Sequence, residues 1–129
     1  MYFILGDKAY RYDRRKIHGG FSKILYIGMT EKNNATQPFN SLRRKAEYLF
    51  KKVHGLKRLE VRCVSALGRQ NVPVADNLET ACLDSFDEMF GRYPLGNDKG
   101  KASTDKELEK TYRLFPREIV RPMLREVGD

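Results

Sequence analysis

Long apolar runs, internal repeats and low-complexity tracts are all missing from this 129-residue chain. No stretch approaches the roughly 18 apolar residues that cross a bilayer, so no helical membrane span is expected. Met1 to Asp7 is short and gains charge too early to read as a secretory signal. Cysteine is scarce. Cys63 and Cys82 stand alone in separate apolar segments, which suits neither a disulfide scaffold nor a zinc site. Both read as buried thiols in a reducing compartment, and the expected location is intracellular and cytoplasmic. The two histidines fall away from any catalytic pattern. His18 sits among glycines in a solvated stretch, and His54 near a helix end reads as a dipole-compatible cap. Acidic residues are the minority, 17 against 25 lysines and arginines, for a net charge of +8. That balance favours a polyanionic partner, nucleic acid first and an acidic membrane surface second.

What is present is the patterning of one ordinary globular domain, large enough to bury its own core. Tyr2 to Leu5 is a brief apolar run stopped by the turn signal Gly6-Asp7. Tyr10 and Tyr12 alternate with Arg11 and Asp13, as in a short strand or extended arm. Arg14, Arg15 and Lys16 then lead a basic loop, and Phe21 to Met29 is the next strand. After a polar loop over 30–40, Ser41 is the expected N-cap of a helix reaching about His54 and stopped by Gly55. Its apolar positions Leu42, Ala46, Leu49, Phe50 and Val53 make one buried stripe. Leu59 to Leu67 is a third strand. Asp76 or Asn77 can cap a second helix whose apolar set is Leu78, Ala81, Cys82, Leu83, Phe86, Met89 and Phe90, ending at Gly91. Thr104 and Glu107 form a capping box for a C-terminal helix that Pro116 and Pro122 break or kink. The order strand, strand, helix, strand, helix, helix is that of a small α+β layer, an antiparallel sheet covered by helices. One domain is expected over 1–129, with a core over about 1–100 and a helical extension over 103–127.

Five features carry chemistry. The strand Ile24 to Met29 ends in Tyr26-Ile27-Gly28 and is followed by Thr30. Arg44 and Tyr48 stand four apart on the first helix, on one face, where both can address the same phosphate. Arg43 competes with Arg44, but at its own four-residue spacing it meets Glu47 in place of an aromatic ring. Glu79 follows Leu78 at the start of the second helix, where a carboxylate also complements the helix N-terminus. Pro94 to Asn97 is an irregular turn after that helix. Basic clusters at Arg14, Arg15 and Lys16, at Lys51 and Lys52, and at Lys57 and Arg58 would neutralise phosphates.

Together these residues resemble the signature of the GIY-YIG nucleases, small metal-dependent phosphodiesterases that cut DNA. The resemblance spans Tyr2 to Asn97 and is nearest to restriction-enzyme-like, repair, or phage- and mobile-element-like members. It implies a three-stranded antiparallel sheet flanked by helices, with a tyrosine on each of the first two strands. Tyr26 matches the second. Tyr2, in Met1-Tyr2-Phe3-Ile4, stands for the first at unusually long separation, with Tyr10 and Tyr12 as the other candidates. The implied catalytic set is Tyr2, Tyr26, Arg44, Tyr48 and Glu79. Glu79 would hold one Mg²⁺ or Mn²⁺ per site, and Asn97, Arg43, Arg14, Arg15, Lys16, Lys51 and Lys52 would bind substrate. The expected partner is double-stranded DNA, with no membrane. One site makes one cut, so double-strand cleavage would take a homodimer or two binding events. The alternative is a catalytically inactive module that keeps the fold and binds nucleic acid.

Overall fold

The computed structural model describes residues 1–12, 20–29, 37–64, 74–97 and 103–129. Arg14, Arg15, Lys16, His18, Thr30 and the 68–73 loop lie outside the described residues. The element order is β1 (Tyr2–Arg11), β2 (Phe21–Gly28), α1 (Gln37–Lys52), β3 (Leu59–Cys63), α2 (Ala75–Phe90), α3 (Asp105–Leu114) and α4 (Arg117–Gly128). The strands form one antiparallel sheet in the order β2-β1-β3, so β1 is central. This is the α+β arrangement of a three-stranded sheet with helices that the sequence predicts. No helix among the described residues is long and apolar enough to cross a membrane.

Several boundaries differ from expectation. Gly6-Asp7 does not end the first strand, and the arm carrying Tyr10 is its continuation to Arg11. Gly6 is there for close packing: a β-carbon on it would lie 3.1 Å from Leu25 Cδ1 and 3.2 Å from Leu56 Cδ1. Helix α1 starts at Gln37. Ser41 is therefore inside it and is not its N-cap, while Pro38 occupies the first turn, where its missing N–H has no helical partner to lose. Phe50 is 44% exposed and leaves the apolar stripe, whose centre is the fully buried Leu49. Helix α2 starts at Ala75 with Val74 at the N-cap and no side-chain cap, so neither Asp76 nor Asn77 plays that part. Its C-terminus does end on Gly91 in the left-handed conformation (φ 79°), and its whole expected apolar set is buried. Cys63 is exposed, because β3 is an edge strand; Cys82 is buried, and both thiols are free.

The Thr104–Glu107 capping box forms in both directions. Pro116 becomes the N-cap of α4 and Pro122 lies within it, so the C-terminal segment is two helices. These are not an appendage: Val120 and Leu124 of α4 join the same buried cluster as Phe3, Leu5, Ile24 and Phe86. Glu88 of α2 ties down α4 through a two-pronged pair with Arg117 (2.8 and 3.1 Å) and a bond from Arg121 (2.5 Å). Tyr112 of α3 donates to Asp84 (2.5 Å), and the Arg117 guanidinium stacks 3.8 Å from the Tyr112 ring centre.

One irregularity positions the site. Ile4 faces Tyr26 across the ladder while Leu5 faces Ile24, which leaves Leu25 as an extra residue, a β-bulge. Ladder pairing with β1 resumes only at Tyr10 and Ser22. The backbone groups of this part of β2 are taken up elsewhere. Tyr12 Oη donates to Ile24 O (2.5 Å), and Gly96 N–H donates to Leu25 O (2.7 Å).

Candidate active site

Tyr2 is opposite Gly28 and Ile4 opposite Tyr26, so Tyr2 and Tyr26 stand diagonally on one face of the ladder. Their ring centres are 5.8 Å apart at an angle of 50°. The two phenols act on each other in opposite senses, Tyr2 raising no barrier to charge on Tyr26 while Tyr26 disfavours it on Tyr2. Burial pushes the Tyr2 phenol well above its ordinary value, and its interaction with Tyr26 and the charge of Glu79 push it further. Tyr26 is raised too, first by burial and last by Glu79, but its interaction with Tyr2 pulls it back down. Of the pair, Tyr26 is the better placed to carry negative charge.

Glu79 stands one turn inside α2, and its charge acts on both phenols. It is only 8% exposed, between Leu78 and the buried Ala81-Cys82. Its charge also acts on the Cys82 thiol, which burial first and Glu79 second push up to about 12. Magnesium takes one or two carboxylates and completes its octahedron with water and substrate oxygens. Glu79, whose charge acts on both phenols, has the hard oxygen chemistry of one such ligand. The described residues contain no cluster of three or more His, Cys, Asp or Glu that could form an all-protein cage.

The Tyr-Ile-Gly triplet has a local explanation. The Tyr26 ring folds back over residue 28, where a β-carbon would fall 2.4 Å from ring Cε1. On its other side Gly96 approaches so closely that a β-carbon would lie 3.1 Å from Tyr26 Cβ and Cδ2. Asn97 then clamps the triplet. Ile27 N–H donates to Asn97 Oδ1 (3.0 Å) and Asn97 Nδ2 donates to Ile27 O (2.9 Å). With Gly96 on Leu25, the 94–97 segment serves the outer edge of β2 as a short neighbouring strand would. The amide of Asn97, expected at the substrate, is engaged with the backbone beside Tyr26.

The first helix presents a different cation from the expected one. Lys45 Nζ lies 4.8 Å from the Tyr26 ring centre and 5.5 Å from that of Tyr48, and it donates to Gly96 O (3.0 Å). Arg44 is exposed and makes no ion pair or ring contact among the described residues. The sequence carries the signal, since Lys45 is three after Leu42 and four before Leu49, inside the apolar stripe, while Arg44 is one step outside it. Arg43 pairs with Glu47 (3.3 Å), as its spacing predicts, but both are exposed and the pair is worth little. Tyr48 Oη accepts from Lys52 Nζ (2.8 Å), and Lys52 also reaches Leu95 O (3.4 Å). Lys51 and His54 are exposed.

The structure thus gathers Tyr2, Tyr26 and Glu79, attaches Tyr48 to them through Lys45, and leaves Arg44, Arg43 and Lys51 on the outside. Tyr10 and Tyr12 are elsewhere. Tyr12 is buried edge-on against Phe86, ring centres 5.0 Å apart, and its hydroxyl also accepts from Leu95 N–H (3.3 Å). Tyr10 packs against the Tyr12 ring. Sequence reasoning passed over Lys45 and Gly96 and weighed Tyr12 only as a first-motif tyrosine, whereas its hydroxyl holds the backbone at Ile24 and Leu95. No family model, curated protein or solved structure matches this chain.

Proposed function

We propose that this chain is a divalent-metal-dependent endonuclease that hydrolyses DNA phosphodiester bonds. The observation that supports the reading is the Tyr2–Tyr26 pair, ring centres 5.8 Å apart, with the charge of the buried Glu79 acting on both phenols. Tyr26 orients a water for attack on phosphorus and takes up its proton, with Lys45 Nζ over the ring favouring the phenolate. The P–O3′ bond breaks as the water oxygen bonds to phosphorus, and the departing O3′ takes a proton from solvent, leaving a 5′ phosphate and a 3′ hydroxyl. Glu79 would hold a Mg²⁺ or Mn²⁺, which would supply charge neutralisation at the phosphoryl and departing oxygens. Arg44, exposed on α1, and Lys51 are available to the phosphate backbone of a duplex.

Supercoiled plasmid incubated with the protein tests this. Nicked or linear product is expected in Mg²⁺, none in EDTA, and none with Glu79→Gln. Salt-sensitive DNA binding without cleavage in any divalent metal would leave the binding module as the correct reading.

A further inference from the structure

The outer edge of β3 carries a self-complementary pattern. Met1 and Val64 exchange both backbone bonds: Val64 N–H donates to Met1 O (2.8 Å) and the Met1 nitrogen to Val64 O (3.2 Å). Bonded and non-bonded pairs alternate along an antiparallel ladder. With Phe3 opposite Arg62 and Leu5 opposite Glu60, the residues bonded to β1 are Glu60, Arg62 and Val64. Leu59, Val61 and Cys63 therefore turn their backbone N–H and C=O groups away from the sheet. Helices α2 and α4 pack on β2, across the sheet from β3, and every residue from Glu60 to Cys63 is exposed, Val61 to 40%.

We infer that this edge pairs with the same edge of a second copy of the chain, antiparallel about a two-fold axis at Val61. The partner is fixed by charge as well as by hydrogen bonding. Centring on Val61 bonds Val61 to Val61 and Leu59 to Cys63 of the second copy, using all the outward backbone groups. It also sets Glu60 of each copy opposite Arg62 of the other, two opposite-charge cross-strand pairs on one face. Slipping so that the outward groups still meet places Glu60 on Glu60, or Arg62 on Arg62, and like charges oppose. Within one copy Glu60 and Arg62 already pair at 2.9 Å, so the dimer joins them into a four-charge cross. The result is a continuous six-stranded antiparallel sheet with both Tyr2 residues on one face.

Sedimentation equilibrium of the full chain without DNA tests this independently of any catalytic reading. The wild type is expected to dimerise over a micromolar to millimolar range. Glu60→Arg and Arg62→Glu, both surface changes that leave the fold intact by circular dichroism, should each weaken association by about tenfold or more. Mixing the two variants should restore the dimer as a heterodimer. The arginine introduced at position 60 of one chain then faces the glutamate introduced at position 62 of the other, and the native Arg62 faces the native Glu60. A wild type that stays monomeric, single variants that dimerise normally, or a mixture that fails to associate would each overturn the inference.

Discussion

Asn97 binds Ile27 with both ends of its side-chain amide, one residue from Tyr26. A side chain is here a substitute for a strand: it occupies the N–H and C=O that β2, at the sheet edge, has no backbone neighbour to satisfy. Asn97→Asp keeps the shape but loses the donor and sets a carboxylate against Ile27 O. Asn97→Ala leaves both Ile27 groups unpaired. Each should cost roughly 1–3 kcal/mol in urea unfolding, the scale for orphaning a partly buried polar group. Unchanged stability in both variants would mean that water replaces the amide without loss.

Gly28→Ala should be out of proportion to its size. Its β-carbon would enter the Tyr26 ring, 2.4 Å from Cε1, so the ring must leave its place beside Tyr2. A destabilisation of about 1–3 kcal/mol, typical of overpacking, is expected together with loss of any cleavage activity. A double variant Tyr26→Ala, Gly28→Ala should recover the stability relative to Gly28→Ala but not the activity. Activity surviving in Gly28→Ala would show that the ring position is not required.

Lys45→Met should depress cleavage far more than Arg44→Met. Lys45 Nζ touches the Tyr26 ring, the Tyr48 ring and Gly96 O, whereas Arg44 is on the outside of α1. The Arg44 change should act mainly on DNA affinity and reduce its salt dependence by about one phosphate contact. The opposite ranking, with Arg44→Met inactive and Lys45→Met near normal, would restore the arginine to the reacting phosphate.

How much of this was legible in the sequence follows from what each feature depends on. The α2 apolar set, the capping box and the break at Pro116 rest on short-range rules, periodicity, caps and missing donors, and they appear as read. The start of α1 was not legible, because a proline reads as loop until one knows that it sits in a first turn. Nor was the continuity of β1 through Gly6, which depends on Leu25 and Leu56 arriving from elsewhere in the chain. At the candidate site, Tyr2, Tyr26 and Glu79 are named through the motif resemblance, not through periodicity or caps. An apolar stripe read only for its apolar members passes over Lys45. Polarity alone points Asn97 at a substrate, and only the bulge at Leu25 reveals why the backbone needs it.

Stability should fall in acid through Glu88. Hydrogen bonds from Arg117 hold its carboxyl below the ordinary carboxylate value, with Arg121 adding to the effect. A depressed folded value means that the contribution is present above the unfolded value and lost as pH falls through the folded one. Asp84, raised mainly by burial, works in the opposite sense, since its folded state holds the proton more readily. The urea midpoint should therefore decline below about pH 4.5, and Glu88→Gln should start lower at neutral pH and decline less. Parallel declines in the two proteins would assign the acid loss to other carboxylates.

The pH dependence of cleavage should identify the tyrosine that handles the proton. Burial and Glu79 raise Tyr26 above its ordinary value of 10.0, and burial raises Tyr2 further still. If Tyr26 acts as phenolate, its active fraction grows tenfold per pH unit below that value, so the rate in Mg²⁺ should climb with unit slope across about pH 7 to 9 without levelling. Tyr26→Phe should cost roughly a hundredfold or more and flatten the climb. Tyr2→Phe removes the hydroxyl whose presence lowers Tyr26, so it should lower the rate while keeping the slope, its deficit persisting at every pH below the phenol's own titration. Tyr12→Phe should change stability through Ile24 O and Leu95 N–H and leave the profile's shape alone. A wild-type plateau near pH 8 that survives in Tyr26→Phe would move proton transfer from the phenol to metal-bound water.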